Sequence, residues 1–427
     1  MNFTGIGAAF ALLAWTSSGQ AAEPLRLPDL IAEALANNPE VLAAQKSYEA
    51  ARQRPAREAS MPDPVLSLGY ASNGGPLPGE QLGRNPTSNI GFMVSQQIPY
   101  PGKRRLRGDI ASKEAEAGFW QYQAVELSVR SRVTQAFHKL HHTYAALAIL
   151  THGKELLTQT LRVSEARYTA GKTAQQDVFK AQVQLSMMET RIIRMQQDQQ
   201  VAEAEINSLL NRKPGSAVGE PVDAEARSLP MTLDELLAKT SNMSPELERR
   251  KNMIARNELS VNLARREFHP DYTVSGGYFN QGSMPAMYQV RVDVPLRIHA
   301  EQQQRHSLNE QVDLLSETRR TFEATEQSLQ FRVREAWTAA ETAWRLTKLY
   351  ADTILPQGQL TVDSSLAAYE TGSTDLVAVL NNLATNVELE EQRHEEELNY
   401  SLAVARLEEM TGVDLSGAGA PEGGNVR

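Results

Sequence analysis

Four histidines in the first half of the chain come closest to a recognisable metal site. His138 and His142 are four residues apart, a spacing that puts both imidazoles on one side of a helix. His141 and His152 lie nearby. Metal sites in proteins usually need three or four ligands, and no acidic partner completes this set. We therefore expect no metal here and interpret the histidines as part of the polar face of a long helix.

Three methionines, Met187, Met188 and Met195, could bind a soft metal ion through their thioethers. Met188 and Met195 also lie on an apolar helical seam, so we interpret them as core packing. The absence of cysteine excludes disulfides, thiolate metal sites and a cysteine nucleophile. The chain also lacks a phosphate-binding loop, a zinc-protease helix motif and a nucleophile elbow. The sequence therefore predicts neither an enzyme nor a cofactor.

The composition describes a polar and mildly acidic protein. It has 427 residues, of which 22% are charged, and a formal net charge of −9. Nucleic-acid-binding proteins usually carry a clustered basic face, so this charge distribution argues against a nucleic-acid partner. The apolar run from Ile6 to Trp15, followed by small residues, is typical of a secretory signal peptide over residues 1–22. No other apolar run approaches the ~20 residues of a spanning helix, so any entry into a membrane must use strands.

A long helical hairpin over residues 103–212 dominates the sequence. Its outgoing helix of roughly 65 residues would reach about 100 Å, whereas helices of globular proteins average about three turns. The function therefore has to explain this length. Gly171 stands at the turn, where a positive φ angle is expected. The returning helix carries a coiled-coil seam that steps by threes and fours: Val178, Ala181, Leu185, Met188, Ile192, Met195, Ala202, Ile206 and Leu209.

Two segments before this hairpin, residues 64–72 and 88–98, alternate with a period of two, which predicts strands. Apolar residues on one face and small or polar residues on the other suit a barrel wall between lipid and water. The apolar positions are Leu66, Leu68, Tyr70, Ile90, Phe92 and Val94. The basic run from Lys103 to Arg105 then follows Tyr100. This composition fits a membrane interface, and the alternative is a solvated turn.

The same order of elements restarts near Thr232, so we divide the chain into a first repeat, residues 23–220, and a second repeat, residues 221–415. The second repeat is expected to contain strands at 271–280 and 286–296. Its long hairpin is expected over residues 300–411, turning at Gly372. The Gly-rich tail, residues 416–427, is expected to be disordered.

The predicted fold class is mostly α with a small β part: a duplicated helix-helix-strand-strand-helix-helix unit with long coiled-coil hairpins. Four strands per chain are too few to close a barrel in lipid, since such barrels start at about eight strands. Three copies would supply twelve strands, and the same association would arrange the hairpins as a tube. We therefore predict a trimeric, twelve-stranded transmembrane barrel joined to a helical tunnel.

From Leu25 to Gly412 the sequence resembles the TolC-like outer-membrane efflux family. The motifs that carry the resemblance, beside the duplicated order, are Asn37-Asn38-Pro39-Glu40, Tyr168-x-x-Gly171 with Asp177-Val178, Tyr369-x-x-Gly372, and Val94 to Pro99 with Pro101-Gly102-Lys103. The resemblance implies a homotrimer in the outer membrane of a Gram-negative bacterium, with a periplasmic extension. Its partners would be outer-membrane lipid, a periplasmic adaptor (membrane fusion protein) and an inner-membrane pump, most often of the resistance–nodulation–division type.

Such a protein is an exit duct for drugs or metal ions and has no chemistry of its own. Two alternatives remain open at this point. One is a type I secretion channel, which the same family includes. The other is a soluble periplasmic coiled-coil scaffold or adaptor, although such a protein has no use for strands with apolar faces.

The resemblance also implies a channel entrance at the hairpin tips. Asp177 and Tyr369 match an aspartate and a tyrosine that pair between neighbouring coils and hold the entrance closed. The sequence departs from better-known members at Ala378 and Asn381, where they carry acidic residues. Asp375 could supply a substitute ring of carboxylates that raises the local cation concentration. The alternative for both aspartates is helix capping.

Overall fold

The computed structural model describes residues 24–73, 76–222 and 228–415. The predicted signal peptide, residues 1–22, and the predicted disordered tail, residues 416–427, lie outside the described residues. Within the described ranges the chain is mostly helical with one small antiparallel sheet. None of the helices in these ranges is long and apolar enough to cross a membrane.

The first seven elements run from Leu27 to Leu209. They are α1 (Leu27–Asn37), α2 (Pro39–Ala51), α3 (Arg54–Ala59), β1 (Val65–Ala71), β2 (Asn89–Ile98), α4 (Lys103–Thr169) and α5 (Gln175–Leu209). The start of α2 follows from local chemistry: Pro39 fits the first helical turn, and the Asn38 side chain accepts a hydrogen bond from the Glu40 N–H at 2.9 Å. The sequence from Val41 to about Ala59 predicts one helix, but residues 52 and 53 form a turn between α2 and α3, because Pro55 cannot donate a helical hydrogen bond.

The remaining elements run from Leu233 to Thr411. They are α6 (Leu233–Met243), α7 (Pro245–Arg266), β3 (Tyr272–Gln281), β4 (Met284–Asp293), α8 (Ala300–Leu349), a π-helical turn (Tyr350–Ile354), α9 (Leu355–Thr371) and α10 (Leu376–Thr411). Thr232 and Glu235 form a capping box at the start of α6.

Helix α4 is a single helix of 67 residues, which corresponds to about 100 Å. It packs against α5, whose buried apolar residues are all members of the predicted seam. These residues are Val178, Ala181, Met188, Ala202, Ile206 and Leu209. The turns at Gly171 and Gly372 have φ angles of 70° and 82°. Side chains disfavour this left-handed conformation, which explains glycine at both turns.

The outgoing helix of the second hairpin is interrupted, where we expected one helix to about Tyr369. Residues Tyr350–Ile354 form a π-helical turn between α8 and α9. Pro356 explains the interruption. It has no N–H to donate to the carbonyl of Asp352, and its ring crowds that carbonyl, so the chain widens locally instead of breaking.

The four strands form one antiparallel sheet in the order β1-β2-β3-β4. Residues that lie opposite each other in such a sheet project to the same face. The register places on one side, the apolar sheet face, Leu66, Leu68, Tyr70, Ile90, Phe92, Val94, Val274, Tyr278, Tyr288, Val290 and Val292. On the other side, the polar sheet face, it places mostly small and polar residues: Ser67, Gly69, Gly91, Ser95, Gln97, Thr273, Ser275, Gly277, Gln289, Arg291 and Asp293. The larger apolar residues Val65, Met93, Phe279 and Met287 also lie on this side.

Strand β4 begins and ends earlier than the predicted range of 286–296. The β3–β4 connection is a tight turn at Gly282, which has a φ angle of 75°, so pairing already resumes at Met284. At the other end Pro295 has no N–H for the sheet ladder, and the strand stops at Asp293.

The described core consists of three separate apolar clusters along the helices. One joins α1, α4 and α5 around Phe137, Leu140 and Ile206. A second lies toward the hairpin tips and joins the four hairpin helices α4, α5, α9 and α10. The third packs α6, α7, α8 and α10 together. The described core is therefore distributed along the length of the helices and has no single centre.

Candidate functional site

Arg167 links the tips of the two hairpins. Its Nη1 atom donates hydrogen bonds to the carbonyl oxygens of Tyr369 at 2.5 Å and Glu370 at 3.1 Å. Its guanidinium carbon also lies 4.8 Å from the centroid of the Tyr369 ring. The last carbonyl groups of a helix have no partner within that helix, so Arg167 of α4 caps the C-terminus of α9. The second tip is thereby fastened to the first.

Tyr369 itself is buried, with only 2% of its surface exposed. Its hydroxyl oxygen lies 3.0 Å from the hydroxyl of Ser164, which is also buried. Asp177 accepts a hydrogen bond from the Thr173 hydroxyl at the start of α5. Within one chain Asp177 and Tyr369 therefore have different partners, and their pairing between copies stays a prediction.

Asp375 is the N-cap residue of α10, where its Oδ1 atom accepts a hydrogen bond from the Ala378 N–H at 3.1 Å. Its position thus has a direct capping explanation. A capping carboxylate retains other lone pairs and its charge, so the proposed carboxylate ring also stays a prediction. The structure brings Tyr369, Gly372 and Asp375 to one tip and Gly171 and Asp177 to the other, with Arg167 between them.

Replacing Arg167 by glutamine is expected to loosen the second tip. Hydrogen bonds to a charged group contribute about 2 kcal/mol, so amide exchange in the last turn of α9 should accelerate roughly 30-fold. Hydrogen–deuterium exchange measured by mass spectrometry on residues 366–375 checks this. Arg162→Gln changes an exposed arginine of the same helix and is the matched control. Equal amide exchange rates in both variants would show that Arg167 does not stabilise the end of α9.

The junction between the strands and the long helices is built around Lys103, whose side chain is fully buried. Its Nζ atom lies 2.8 Å from both the His269 carbonyl oxygen and Asp271 Oδ1, and 2.9 Å from Glu267 Oε2. The Tyr100 N–H donates to the same Asp271 oxygen at 2.8 Å. A buried charge persists only with such partners, so these contacts fix β2 and α4 to β3 and α7.

Burial by itself would raise the pKa of Asp271, but the hydrogen bonds from Lys103 and the Tyr100 N–H outweigh it and lower the pKa below its usual range. Sequence reasoning missed this cluster, because it treated Lys103 as interfacial or solvated. A signal was present. A cation in the first turn of a helix opposes the helix dipole, and such a cation calls for acidic partners elsewhere in the chain.

The histidines of α4 are not arranged as a metal site within the described residues. In the described part of the chain no three His, Cys, Asp or Glu side chains are placed to hold a metal ion. Burial, assisted by the charge of the neighbouring His141, lowers the pKa of His138 to about 4. His138 is therefore neutral at pH 7, and an unfolded chain would bind a proton there first.

This shift predicts acid sensitivity of the helical part. Because the folded pKa of His138 lies below its unfolded value of 6.5, the stability that neutral His138 contributes is fully present above pH 6.5 and is lost as the pH falls toward 4. The loss attributable to His138 is at most about 3 kcal/mol. His138→Gln should flatten the stability profile between these pH values in denaturant titrations. His306→Gln, at an exposed position of α8, should leave it as steep as in the parent.

Residues 30–212 match the model of the outer membrane efflux protein family. The predicted family resemblance is confirmed. The match runs from within α1 to the end of the first hairpin, and it supports the prediction that the protein is not an enzyme, because members of that family are channels. A comparison with curated proteins finds no match.

The likeness to solved structures extends over nearly the whole chain. The CmeC outer membrane channel of Campylobacter jejuni is 15% identical, with a TM-score of 0.76 over 96% of this chain and 94% of that one. VceC of Vibrio cholerae is 16% identical, with a TM-score of 0.77 over 90% and 96%. The MtrE outer membrane channel of Neisseria gonorrhoeae, in its open state, is 17% identical, with a TM-score of 0.75 over 91% and 89%. At these identities the likeness establishes a shared fold.

Proposed function

We propose that this protein is an exit duct in the outer membrane of a Gram-negative bacterium, as one component of a tripartite efflux system. The observation that carries the proposal is the two-sided sheet. On its apolar face Leu68, Tyr288 and Val290 are 80%, 79% and 82% exposed. The opposite face is mostly small and polar, and its larger apolar residues are Val65, Met93, Phe279 and Met287. Exposed apolar surface of this extent marks a membrane or protein contact, and alternation along strands is the pattern of a barrel wall.

The proposed assembly is a homotrimer. The sheet of one chain ends in the edge strands β1 and β4, and open strand edges cannot stand in lipid because their backbone groups would be unpaired. Three four-stranded sheets joined edge to edge give the predicted twelve-stranded barrel. The order of elements supports a duplicated unit, since two strands and a long hairpin follow the opening helices in each half.

The helical part supports a tunnel in the same assembly. Helix α5 exposes an apolar stripe on its outer side, away from the seam. Its members are spaced by four residues and are more than half exposed: Phe179, Val183 and Met187. We propose that this stripe packs against a neighbouring copy, so that the hairpins close into a tube. A tube about 100 Å long would reach from the membrane toward a periplasmic adaptor and an inner-membrane pump.

Membrane fractionation and planar bilayer recordings test the proposed duct. We expect the protein in the outer-membrane fraction, a heat-sensitive trimer on gels, and discrete conductance steps after insertion into a bilayer. Recovery as a soluble periplasmic monomer would reject the duct and favour the scaffold alternative. The cargo, whether drugs or metal ions, would be identified by export from cells with the cognate pump.

The proposed entrance lies at the hairpin tips. If Asp177 of one copy helps to hold the entrance closed, Asp177→Ala should increase the single-channel conductance several-fold, because the tips would separate more easily. Thr173→Val is the control, since it removes the partner of Asp177 within the chain and leaves the carboxylate in place. Unchanged conductance in Asp177→Ala would show that this aspartate does not help to hold the entrance closed.

A further inference from the structure

A basic groove of about 600 Å³ lies between the start of α4 and the end of α7. We define the basic groove by Arg105, Arg265, Arg266 and His269, which line it together with Asp109. All four defining residues are exposed. One carboxylate thus faces three guanidinium groups, in a chain whose formal net charge is −9. The groove is therefore locally positive on a protein whose net charge is negative.

The arginines of the groove differ in how far they are engaged. The Arg105 side chain is 87% exposed and lies 3.7 Å from Asp109, a surface pair that contributes little. Arg266 donates a hydrogen bond to the Pro101 carbonyl oxygen at 3.2 Å, so it also supports the junction. Two arginines, Arg105 and Arg265, are therefore the members best placed to bind an anion from solution or from a membrane.

Helix geometry indicates which side of the wall the groove faces. Lys103 and Arg107 both contact Glu267. Arg105 is two residues from Lys103 and from Arg107, which places it about 200° around helix α4 from both. Arg265 is likewise two residues, or about 200°, from Glu267 at the end of α7. Arg105 and Arg265 therefore point away from the contacts of Lys103 and Arg107 with Glu267, and His269 joins the two regions, with its carbonyl oxygen on Lys103 and its side chain in the groove.

The sheet then orients these two regions. Asp271, which binds Lys103, precedes Thr273 of the polar sheet face by two residues, so the Lys103 cluster continues that face. The basic groove accordingly lies on the same side as the apolar sheet face, at the end of the sheet where β2 leads into α4 and α7 leads into β3. It is also central, because α4 follows β2 and α7 precedes β3, the two inner strands. Copies that join at the edge strands β1 and β4 would leave it open.

We propose that the basic groove binds the phosphate head group of an anionic phospholipid, in the leaflet next to the strand–helix junction. This inference rests on the proposed function, since it needs the apolar sheet face in lipid. Guanidinium groups match phosphate oxygens with paired hydrogen bonds. The acyl chains of a lipid held there would extend along the apolar sheet face. Tyr100 and His269, stacked with ring centroids 4.3 Å apart, add the aromatic and basic character of a membrane interface.

Native mass spectrometry of the assembled protein in detergent tests the proposal. The probes are phosphatidylglycerol and phosphatidylcholine with identical acyl chains. We expect the parent protein to bind phosphatidylglycerol at least tenfold more tightly, and the double variant Arg105→Gln/Arg265→Gln to lose this preference. Arg266 is left intact because of its bond to Pro101. The charge-matched control is Arg194→Gln/Arg334→Gln, at exposed positions of α5 and α8, and it should retain the preference.

Three results would overturn the proposal. They are equal affinity of the parent protein for the two lipids, an unchanged preference in the double variant, and displacement of bound lipid by an equal concentration of inorganic phosphate. All variants are first fractionated and recorded in bilayers. A protein that forms trimeric channels without the lipid preference refutes only the groove, whereas a protein that never enters membranes refutes the proposed duct and the groove with it.

Discussion

Lys103→Met is expected to lower the stability of the assembled protein by about 3 kcal/mol or more. Removing one partner of a buried ion pair leaves the other charge without compensation, and such changes usually cost about 3–5 kcal/mol. Glu267 keeps Arg107 at 3.2 Å, but Asp271 would retain only the Tyr100 N–H among the partners named above. The loss should therefore arise chiefly at Asp271, at the joint between sheet and helices.

Thermal unfolding in detergent, followed by far-UV circular dichroism, measures this effect. Lys113→Met removes a lysine from a partly exposed pair with Glu116 in the same helix and should change stability by less than about 1 kcal/mol. Lys103→Met/Asp271→Asn should regain part of the loss, because it also removes the isolated carboxylate. Equal melting temperatures for the parent and Lys103→Met would contradict the assignment of Lys103 as the centre of the junction.

Leu68→Arg is expected to prevent stable membrane insertion, whereas Ser67→Arg is expected to be tolerated. Leu68 lies on the apolar sheet face and Ser67 on the polar sheet face, one residue apart in the same strand. An arginine toward lipid near the bilayer midplane costs about 2–4 kcal/mol per chain, and a trimer would carry that penalty on every copy. An arginine toward water carries almost none.

The pair is internally controlled, since both variants add the same side chain at nearly the same height of β1. Urea titration of folding into lipid vesicles measures the difference directly. Similar midpoints for Leu68→Arg and Ser67→Arg would show that the apolar sheet face does not meet lipid, and the proposed barrel would then have no basis.

Periodicity was the part of the sequence that predicted structure well. The seam of α5 contains the buried residues Val178, Ala181 and Met188, because a helix that packs on another must repeat apolar residues at its own period. The alternation in β1 and β2 likewise predicted which residues share a face, since that follows from the strand period alone. Local chemistry also predicted the turns, where Gly171 and Gly372 have positive φ angles.

Contacts between distant segments were not predictable in this way. Lys103 meets Asp271 across a separation of 168 residues, and no local pattern connects the two. Arg167 binds the Tyr369 carbonyl across 202 residues, so sequence reasoning considered only Asp177 as a partner of Tyr369. The π-helical turn was missed for a different reason: the heptad spacing from Leu308 to Tyr350 indicated a regular helix, and it was extended past Pro356 to about Tyr369.

Cysteine accessibility along β2 measures whether the apolar sheet face lies in lipid and the polar sheet face in water, and the chain has no natural cysteine to interfere. The variants are Phe92→Cys and Val94→Cys on the apolar sheet face, and Met93→Cys and Ser95→Cys on the polar sheet face. Each is reconstituted in lipid vesicles and treated with a charged maleimide that cannot enter lipid. For the proposed barrel we expect rapid labelling at positions 93 and 95 and at least tenfold slower labelling at positions 92 and 94. Equally rapid labelling at all four positions would contradict the proposed barrel.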